Sequence, residues 1–146
     1  PVVVAHNLPV AEATARAAEA KGKGNEAFQK KDFPSAAEAY TEAIYMVPGD
    51  ASFWSNRSAC YLSMGQNELA LSDAERCCKL RPDWSKAYYR VATARLALKR
   101  FEDAALAAFE GLKLDDKNTT LKKLMNTAVE QGRAAHQEEL RQKSLS

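Results

Sequence analysis

Apolar and polar positions follow one another along this chain with the spacing of amphipathic helices, and turn-forming residues separate the helical stretches. Pro34 fits the first turn of a helix, whereas Val47-Pro48-Gly49-Asp50 and Arg81-Pro82-Asp83 have the chemistry of turns. The pattern predicts an all-α chain with seven helices, at about residues 12–30, 34–46, 52–64, 67–80, 85–98, 101–114 and 119–143.

The same features return every 34 residues, which indicates an internal repeat. Pro48 and Pro82 are 34 residues apart, and Ala36, Ala70 and Ala104 follow the same step. Self-similarity at such a period is typical of stacked helical pairs. We therefore predict a flexible segment over 1–11 and a single domain over 12–143, with repeats at about 17–50, 51–84 and 85–118 and a capping helix at about 119–143.

The repeated small residues indicate where paired helices approach closely. One pair of helices cannot bury its apolar face alone, but stacked pairs can. Large side chains are then expected to fill the layers between the helices, and the candidates are Tyr40, Trp54, Tyr61, Tyr88 and Phe109.

Composition narrows the classes of function. The net charge of +2, from 21 basic and 19 acidic residues, does not suggest a general nucleic-acid binder. No apolar run approaches the roughly 20 residues that span a bilayer. His6 and His136 are isolated from any ligand set or catalytic triad, so we expect no metal, no cofactor and no enzyme activity.

The cysteines indicate a reducing compartment. Cys60, Cys77 and Cys78 form an odd set without a CxxC pattern, which suits small apolar fillers better than disulfides or a zinc site. We expect a cytoplasmic protein, with the nucleus and the cytosolic face of an organelle as alternatives.

Five polar residues are predicted to share the inner groove of the stack, which the first helix of each pair lines. Lys21 and Asn25 are four residues apart on one helix face, and so are Lys86 and Arg90. Arg90 also follows Asn56 by 34 residues, one repeat along the same face. We call these five the clamp residues. Because lysine, arginine and asparagine all donate hydrogen bonds, the set suits a carboxylate ligand such as a C-terminal aspartate.

The repeats resemble the tetratricopeptide (TPR) family. Gly24, Ala36, Tyr40, Ala43 and Pro48 match its consensus in the first repeat, while Ser58, Ala92, Ala108 and Asp116 depart from it in later ones. The resemblance covers about residues 17–118 and implies a right-handed superhelix of three TPR helix-turn-helix repeats with a C-terminal capping helix.

The clamp residues resemble, one by one, the dicarboxylate clamp of the co-chaperone TPR family. Lys21-Gly22-Lys23-Gly24-Asn25, Ser55-Asn56-Arg57-Ser58 and Lys86-Ala87-Tyr88-Tyr89-Arg90 carry the match. This implies an adaptor that binds the C-terminal Glu-Glu-Val-Asp tail of heat-shock protein 70 or 90, and the sequence leaves open which. Residues 128–133 also resemble TPR modules at the ends of plant ankyrin-repeat proteins.

Three further residues are candidates for auxiliary peptide contacts. Phe28 lies three residues beyond Asn25, and Ser63 and Arg95 are placed to face the groove beside Asn56 and Arg90. Arg57 is expected to point away from the groove and to serve the fold.

Three alternative functions remain open at this stage. We expect a monomeric module of a larger protein, and that protein could be an enzyme for which this module only recruits the chaperone, with the chemistry outside these 146 residues. The chain could be a TPR scaffold or self-association module with an unused groove. It could also bind a different acidic terminus.

Overall fold

The computed structural model describes residues 6–146, and these form helices without any strand. The seven helices are α1 Val10–Gln29, α2 Phe33–Met46, α3 Ala51–Ser63, α4 Asn67–Leu80, α5 Ser85–Ala97, α6 Phe101–Leu114 and α7 Thr119–Leu145. The all-α prediction is therefore confirmed, and each helix boundary agrees with the predicted one within two residues.

The 34-residue period sets where the helices begin. Helices α3, α5 and α7 start at residues 51, 85 and 119, and helices α2, α4 and α6 start at residues 33, 67 and 101. The turn inside each pair repeats as well, because Lys31, Gly65 and Lys99 all adopt positive φ angles of 61°, 74° and 61°. A left-handed residue at this point ends the first helix and turns the chain back. Only the middle repeat has glycine there, which adopts this conformation without strain.

Helices pack along the chain in sequence order. The three pairs are α1 with α2, α3 with α4, and α5 with α6; α2 contacts α3, α4 contacts α5, and α7 covers α5 and α6. Ala36, Ala70 and Ala104 are each fully buried, as expected for residues at the closest approaches. Side chains accept backbone hydrogen bonds at the N-termini of α2, α3 and α7, from Asp32, Asp50 and Asn118 respectively.

The prediction that Phe109 fills a layer of the core is wrong. Its side chain is 50% exposed on α6. The positions 34 and 68 residues earlier are occupied by Glu75 and Thr41, which are also exposed. Phe109 therefore lies on the outer face of its repeat, and its neighbour Ala108 takes the buried position that Tyr40 occupies in the first repeat.

Part of the predicted flexible segment over residues 1–11 lies against the fold. Residues 1–5 are outside the described residues. His6 Nε2 donates to the backbone carbonyl of Met46 at 2.8 Å, and Leu8 packs against the apolar cluster between α1 and α2. Val10 and Ala11 already belong to α1, which begins two residues earlier than the sequence pattern predicts.

Candidate functional site

The clamp residues lie on the first helices of the three pairs, Lys21 and Asn25 on α1, Asn56 on α3, and Lys86 and Arg90 on α5. Residues three to four apart on a helix share a face, so Lys21 lies beside Asn25 on α1 and Lys86 lies beside Arg90 on α5. Contacts between α3 and α5 bring these helices together, so that side chains from different repeats meet.

A cavity of about 270 Å³ opens between α1, α3 and α5. Asn25, Asn56 and Arg90 line it together with Phe28, Tyr40, Ala59 and Gln29. The structure therefore brings three of the five clamp residues, and one predicted auxiliary residue, into one concave space. Lys21 and Lys86 are not among the lining residues.

Arg90 is the most enclosed cation of the set. Its Nε donates to Ser55 Oγ at 3.1 Å, and its guanidinium lies 5.5 Å from the centre of the Tyr89 ring. Burial lowers the pKa of Arg90 from its usual value, and the neighbouring Tyr89, Cys77, Cys60 and Tyr40 partly offset this effect. Arg90 forms no ion pair with any carboxylate of the described residues. Its outer nitrogens can therefore bind an anion from solution.

Asn25 is oriented by a hydroxyl from the second helix. Tyr40 Oη donates to Asn25 Oδ1 at 2.6 Å, and Tyr40 itself is 2% exposed. Burial raises the pKa of Tyr40 to about 12, so the hydroxyl remains protonated near neutral pH. With its oxygen already in use, the Asn25 amide offers its nitrogen to a ligand.

Lys21 and Lys86 lie beside this cavity. Lys21 Nζ is 3.5 Å from Ser52 Oγ and 5.9 Å from the centre of the Phe53 ring. Lys86 Nζ lies 6.0 Å from the centre of the Trp84 ring. Burial lowers the pKa of Lys86, and the positive charges of Arg90 and Lys21 lower it further. Lys86 is thus repelled by the other two cations, and an anion placed beside it would relieve that repulsion.

The three candidates for auxiliary peptide contacts differ in their position relative to the cavity. Phe28 lines the cavity, is 36% exposed and packs edge-on against Phe33 with ring centres 5.2 Å apart. Ser63 is exposed at the end of α3 and does not line the cavity. Arg95 donates to the backbone carbonyl of Asp103 on α6 at 3.0 Å, so its guanidinium contacts the second helix of its own pair. Of these three residues, only Phe28 shares the cavity with clamp residues.

Sequence reasoning missed the hydroxyls behind the clamp residues. It treated Tyr40 as a core residue and assigned no role to Ser52 or Ser55, which contact Lys21 and Arg90. A signal for Ser55 was present, because it follows Lys21 by 34 residues and is therefore at an equivalent position on the inner face. No comparable signal marked the Tyr40 hydroxyl, since a buried tyrosine in a TPR core is accounted for by packing.

Among the described residues, no helix combines the length and the low polarity needed to cross a membrane. The clamp residues and their neighbours form a groove lined by cations and amides, and most of its available hydrogen-bonding groups are donors. Such a set suits ligands that carry carboxylates.

Comparisons with known proteins identify relatives of this chain. The profile of a family described as "Serine/threonine-protein kinase BSK1-like, TPR repeats" matches residues 9–92. The Hsp70-Hsp90 organizing protein 2 of Arabidopsis thaliana is 44% identical over 127 residues, which cover 87% of this chain and 22% of that relative. The chain spans about a fifth of the length of the curated relatives it matches.

Two solved structures share the fold. The TPR2B-domain:pHsp70 complex of yeast Sti1 is 30% identical with a TM-score of 0.76, and the match covers 80% of this chain and 98% of that one. The first TPR of Spaghetti (RPAP3), bound to the HSP90 peptide SRMEEVD, is 26% identical with a TM-score of 0.78, and the match covers 80% and 93%.

Proposed function

This chain belongs to the family of serine/threonine-protein kinase BSK1-like TPR repeats, and we propose that its groove binds the acidic C-terminal tail of heat-shock protein 70 or heat-shock protein 90. The clamp residues Lys21, Asn25, Asn56, Lys86 and Arg90 would hold the carboxylates of the terminal aspartate. In this proposal the chain is an adaptor that acts by binding and performs no catalysis.

One observation carries the proposal: Lys21, Lys86 and Arg90 surround the groove without a carboxylate partner among the described residues. Several other charged residues form exposed ion pairs along α1 and α7. Keeping Lys21, Lys86 and Arg90 near one another is unfavourable, and burial adds to that cost at Arg90 and Lys86. A ligand with two adjacent carboxylates would offset both the repulsion between the cations and the cost of their burial.

The names of related proteins support the same ligand. An Arabidopsis relative is called an Hsp70-Hsp90 organizing protein, and a structural neighbour is bound to a peptide that ends in Glu-Glu-Val-Asp. Charge-assisted hydrogen bonds contribute about 1.5–3 kcal/mol each. A short flexible tail loses entropy on binding, so we expect a dissociation constant on the order of micromolar.

The family description also bears on the wider role. It names a protein kinase, so a chain of this family would bring a chaperone to an enzyme to which it is joined. The free thiols of Cys60 and Cys77, both buried, fit an interaction in the reducing cytoplasm.

The test is a binding titration with a labelled peptide ending in Glu-Glu-Val-Asp, beside the same peptide with an amidated C-terminus. We expect the free acid to bind and the amide to bind at least tenfold more weakly, because one charge-assisted contact set is lost. Lys86→Glu should abolish binding. Lys122→Glu, an equally exposed lysine on α7, is the matched control and should bind like the parent chain. If neither peptide binds to the folded parent chain, the proposal is wrong.

A further inference from the structure

Two buried hydroxyls, those of Tyr40 and Ser55, contact clamp residues. Tyr40 Oη donates to Asn25 Oδ1 at 2.6 Å, and Ser55 Oγ accepts from Arg90 Nε at 3.1 Å. Ser55 is fully buried, and Tyr40 borders the cavity but is only 2% exposed, so each hydroxyl has little surface of its own to offer a peptide. Each hydroxyl instead holds a planar polar group that a peptide can reach, the Asn25 amide or the Arg90 guanidinium.

The contact of Tyr40 determines which end of the Asn25 amide a ligand meets. An asparagine amide has one oxygen that accepts and one nitrogen that donates, and its terminal torsion is nearly two-fold. A free amide could therefore turn either atom toward the groove. Because Tyr40 occupies Oδ1, Asn25 presents Nδ2, which attracts a carboxylate oxygen, whereas Oδ1 would repel it.

The ring of Tyr40 is itself held in place. A Cβ atom built on Gly24 would lie 2.6 Å from Tyr40 Cε1, so the absence of a side chain at Gly24 admits the ring against α1. The ring therefore packs against the residue that precedes Asn25, and its hydroxyl reaches the Asn25 side chain. Since burial keeps the hydroxyl protonated, it can donate to Asn25 Oδ1 throughout the neutral range.

Ser55 does the equivalent for Arg90. The guanidinium is planar and has five N–H donors, of which Nε–H is the one nearest the backbone. With Nε bound to Ser55, the rotation of the plane is restricted, and the two terminal nitrogens remain for a ligand. A bidentate contact with a carboxylate requires such a fixed plane.

Resting on the proposed function, we propose that Tyr40 and Ser55 are positioning residues that make the groove selective for carboxylates over neutral carboxamides. A carboxamide carries both a donor and an acceptor, so it tolerates either orientation of Asn25. A carboxylate only accepts and requires the donor orientation. Loss of the hydroxyl should therefore weaken carboxylate binding and leave carboxamide binding nearly unchanged.

The experiment compares three peptides that differ only at the last residue: Glu-Glu-Val-Asp with a free C-terminus, the same peptide amidated, and Glu-Glu-Val-Asn with a free C-terminus. Tyr40→Phe keeps the ring and removes the hydroxyl. We expect its affinity for the first peptide to fall about three- to tenfold, as for one lost hydrogen bond, while its affinity for one of the two carboxamide peptides stays within twofold.

Two matched controls separate positioning from stability. Tyr88→Phe removes a hydroxyl that donates to the backbone carbonyl of Pro82, and should leave selectivity unchanged. For Ser55→Ala, the control is Ser58→Ala, since Ser58 is buried on the same helix and donates to the backbone carbonyl of Ala70 instead. Ser55→Ala should lower selectivity about as much as Tyr40→Phe, and Ser58→Ala should not.

A double-mutant cycle tests whether Tyr40 acts through Asn25. In the Asn25→Ala background, Tyr40→Phe should cause no further loss of affinity for the free acid. The proposal for Tyr40 is overturned if the loss persists in that background, or if the parent chain binds but Tyr40→Phe keeps full selectivity. The proposal for Ser55 is overturned if Ser55→Ala matches Ser58→Ala. If the parent chain binds no peptide, both this proposal and the proposed function are wrong.

Discussion

Arg57 and Arg90 are both partly buried arginines on the first helix of a pair, but their surroundings differ. Arg57 contacts Asp73 on α4 with two hydrogen bonds of 2.8 Å, and its guanidinium lies 5.2 Å and 5.4 Å from the ring centres of Trp54 and Tyr61. Arg90 contacts a serine hydroxyl and no carboxylate of the described residues. The hydrogen bonding of Arg57 to Asp73 raises the pKa of Arg57, whereas burial lowers the pKa of Arg90.

This difference separates a cation that serves the fold from cations available to a ligand. The charge of Arg57 is already neutralised by Asp73, which is 3% exposed, so the pair joins α3 to α4. The charges of Arg90, Lys86 and Lys21 are not neutralised by the described residues. Burial together with the absence of a counter-charge therefore distinguishes Arg90 from Arg57, although both are arginines on the first helix of a pair.

The largest expected effect is on stability, at the Arg57–Asp73 pair. Asp73→Ala leaves the Arg57 charge buried and unpaired, which should lower the free energy of unfolding by about 3 kcal/mol. Urea denaturation would measure this. Glu68→Ala is the control, because it breaks the exposed Arg100–Glu68 pair and should cost less than about 1 kcal/mol. Equal effects of the two substitutions would contradict a special role for the buried pair.

At the groove, we expect a substitution to change peptide affinity strongly and stability little. Lys86→Met removes one cation of a like-charged pair four residues apart on a helix, so the free energy of unfolding should stay constant or rise by about 0.2–0.5 kcal/mol. Affinity for the free-acid peptide should fall at least tenfold, because a charge-assisted contact is lost. Calorimetric titration and urea denaturation of the same sample would measure both. A marked loss of stability would indicate that Lys86 supports the fold.

The smallest effect is expected from pH, and it should have opposite signs for stability and for binding. The pKa of Lys86 is lowered in the folded chain, so between that pKa and the usual 10.5 the unfolded chain binds more protons. Stability contributed by this residue should therefore rise with pH in that window. Peptide affinity should fall over the same window, because deprotonated Lys86 has no charge. The difference between the parent chain and Lys86→Met isolates this contribution, and a difference independent of pH would contradict it.

The sequence predicted the scaffold well because each packing position occurs in all three repeats. A single alanine says little, but Ala36, Ala70 and Ala104 at one period indicate helix contacts, and all three are buried. Phe109 shows where this reasoning failed. Its size suggested a core residue, yet a shift of one position along a helix turns a side chain by about 100°, and the equivalents Thr41 and Glu75 were better guides than its hydrophobicity.

For the groove, sequence spacing was enough to select Asn25, Asn56 and Arg90, because a helical repeat converts spacing into position on a face. Spacing could not determine what each side chain contacts. Arg95 was predicted to face the groove, but it donates to a backbone carbonyl of α6. The hydrogen-bond partner depends on the distance between helices, which the period of the sequence does not specify.

The sequence by itself therefore determined the helices, their pairing, the repeat and the residues of the inner face. All of these follow from periodicity, because helix geometry fixes the relation between residue number and direction. Only the tertiary structure decided which cations have counter-charges and which amide orientation a ligand meets. Those properties depend on atoms from helices that are distant in sequence, such as Tyr40 beside Asn25 and Asp73 beside Arg57, brought within 3 Å of one another by packing.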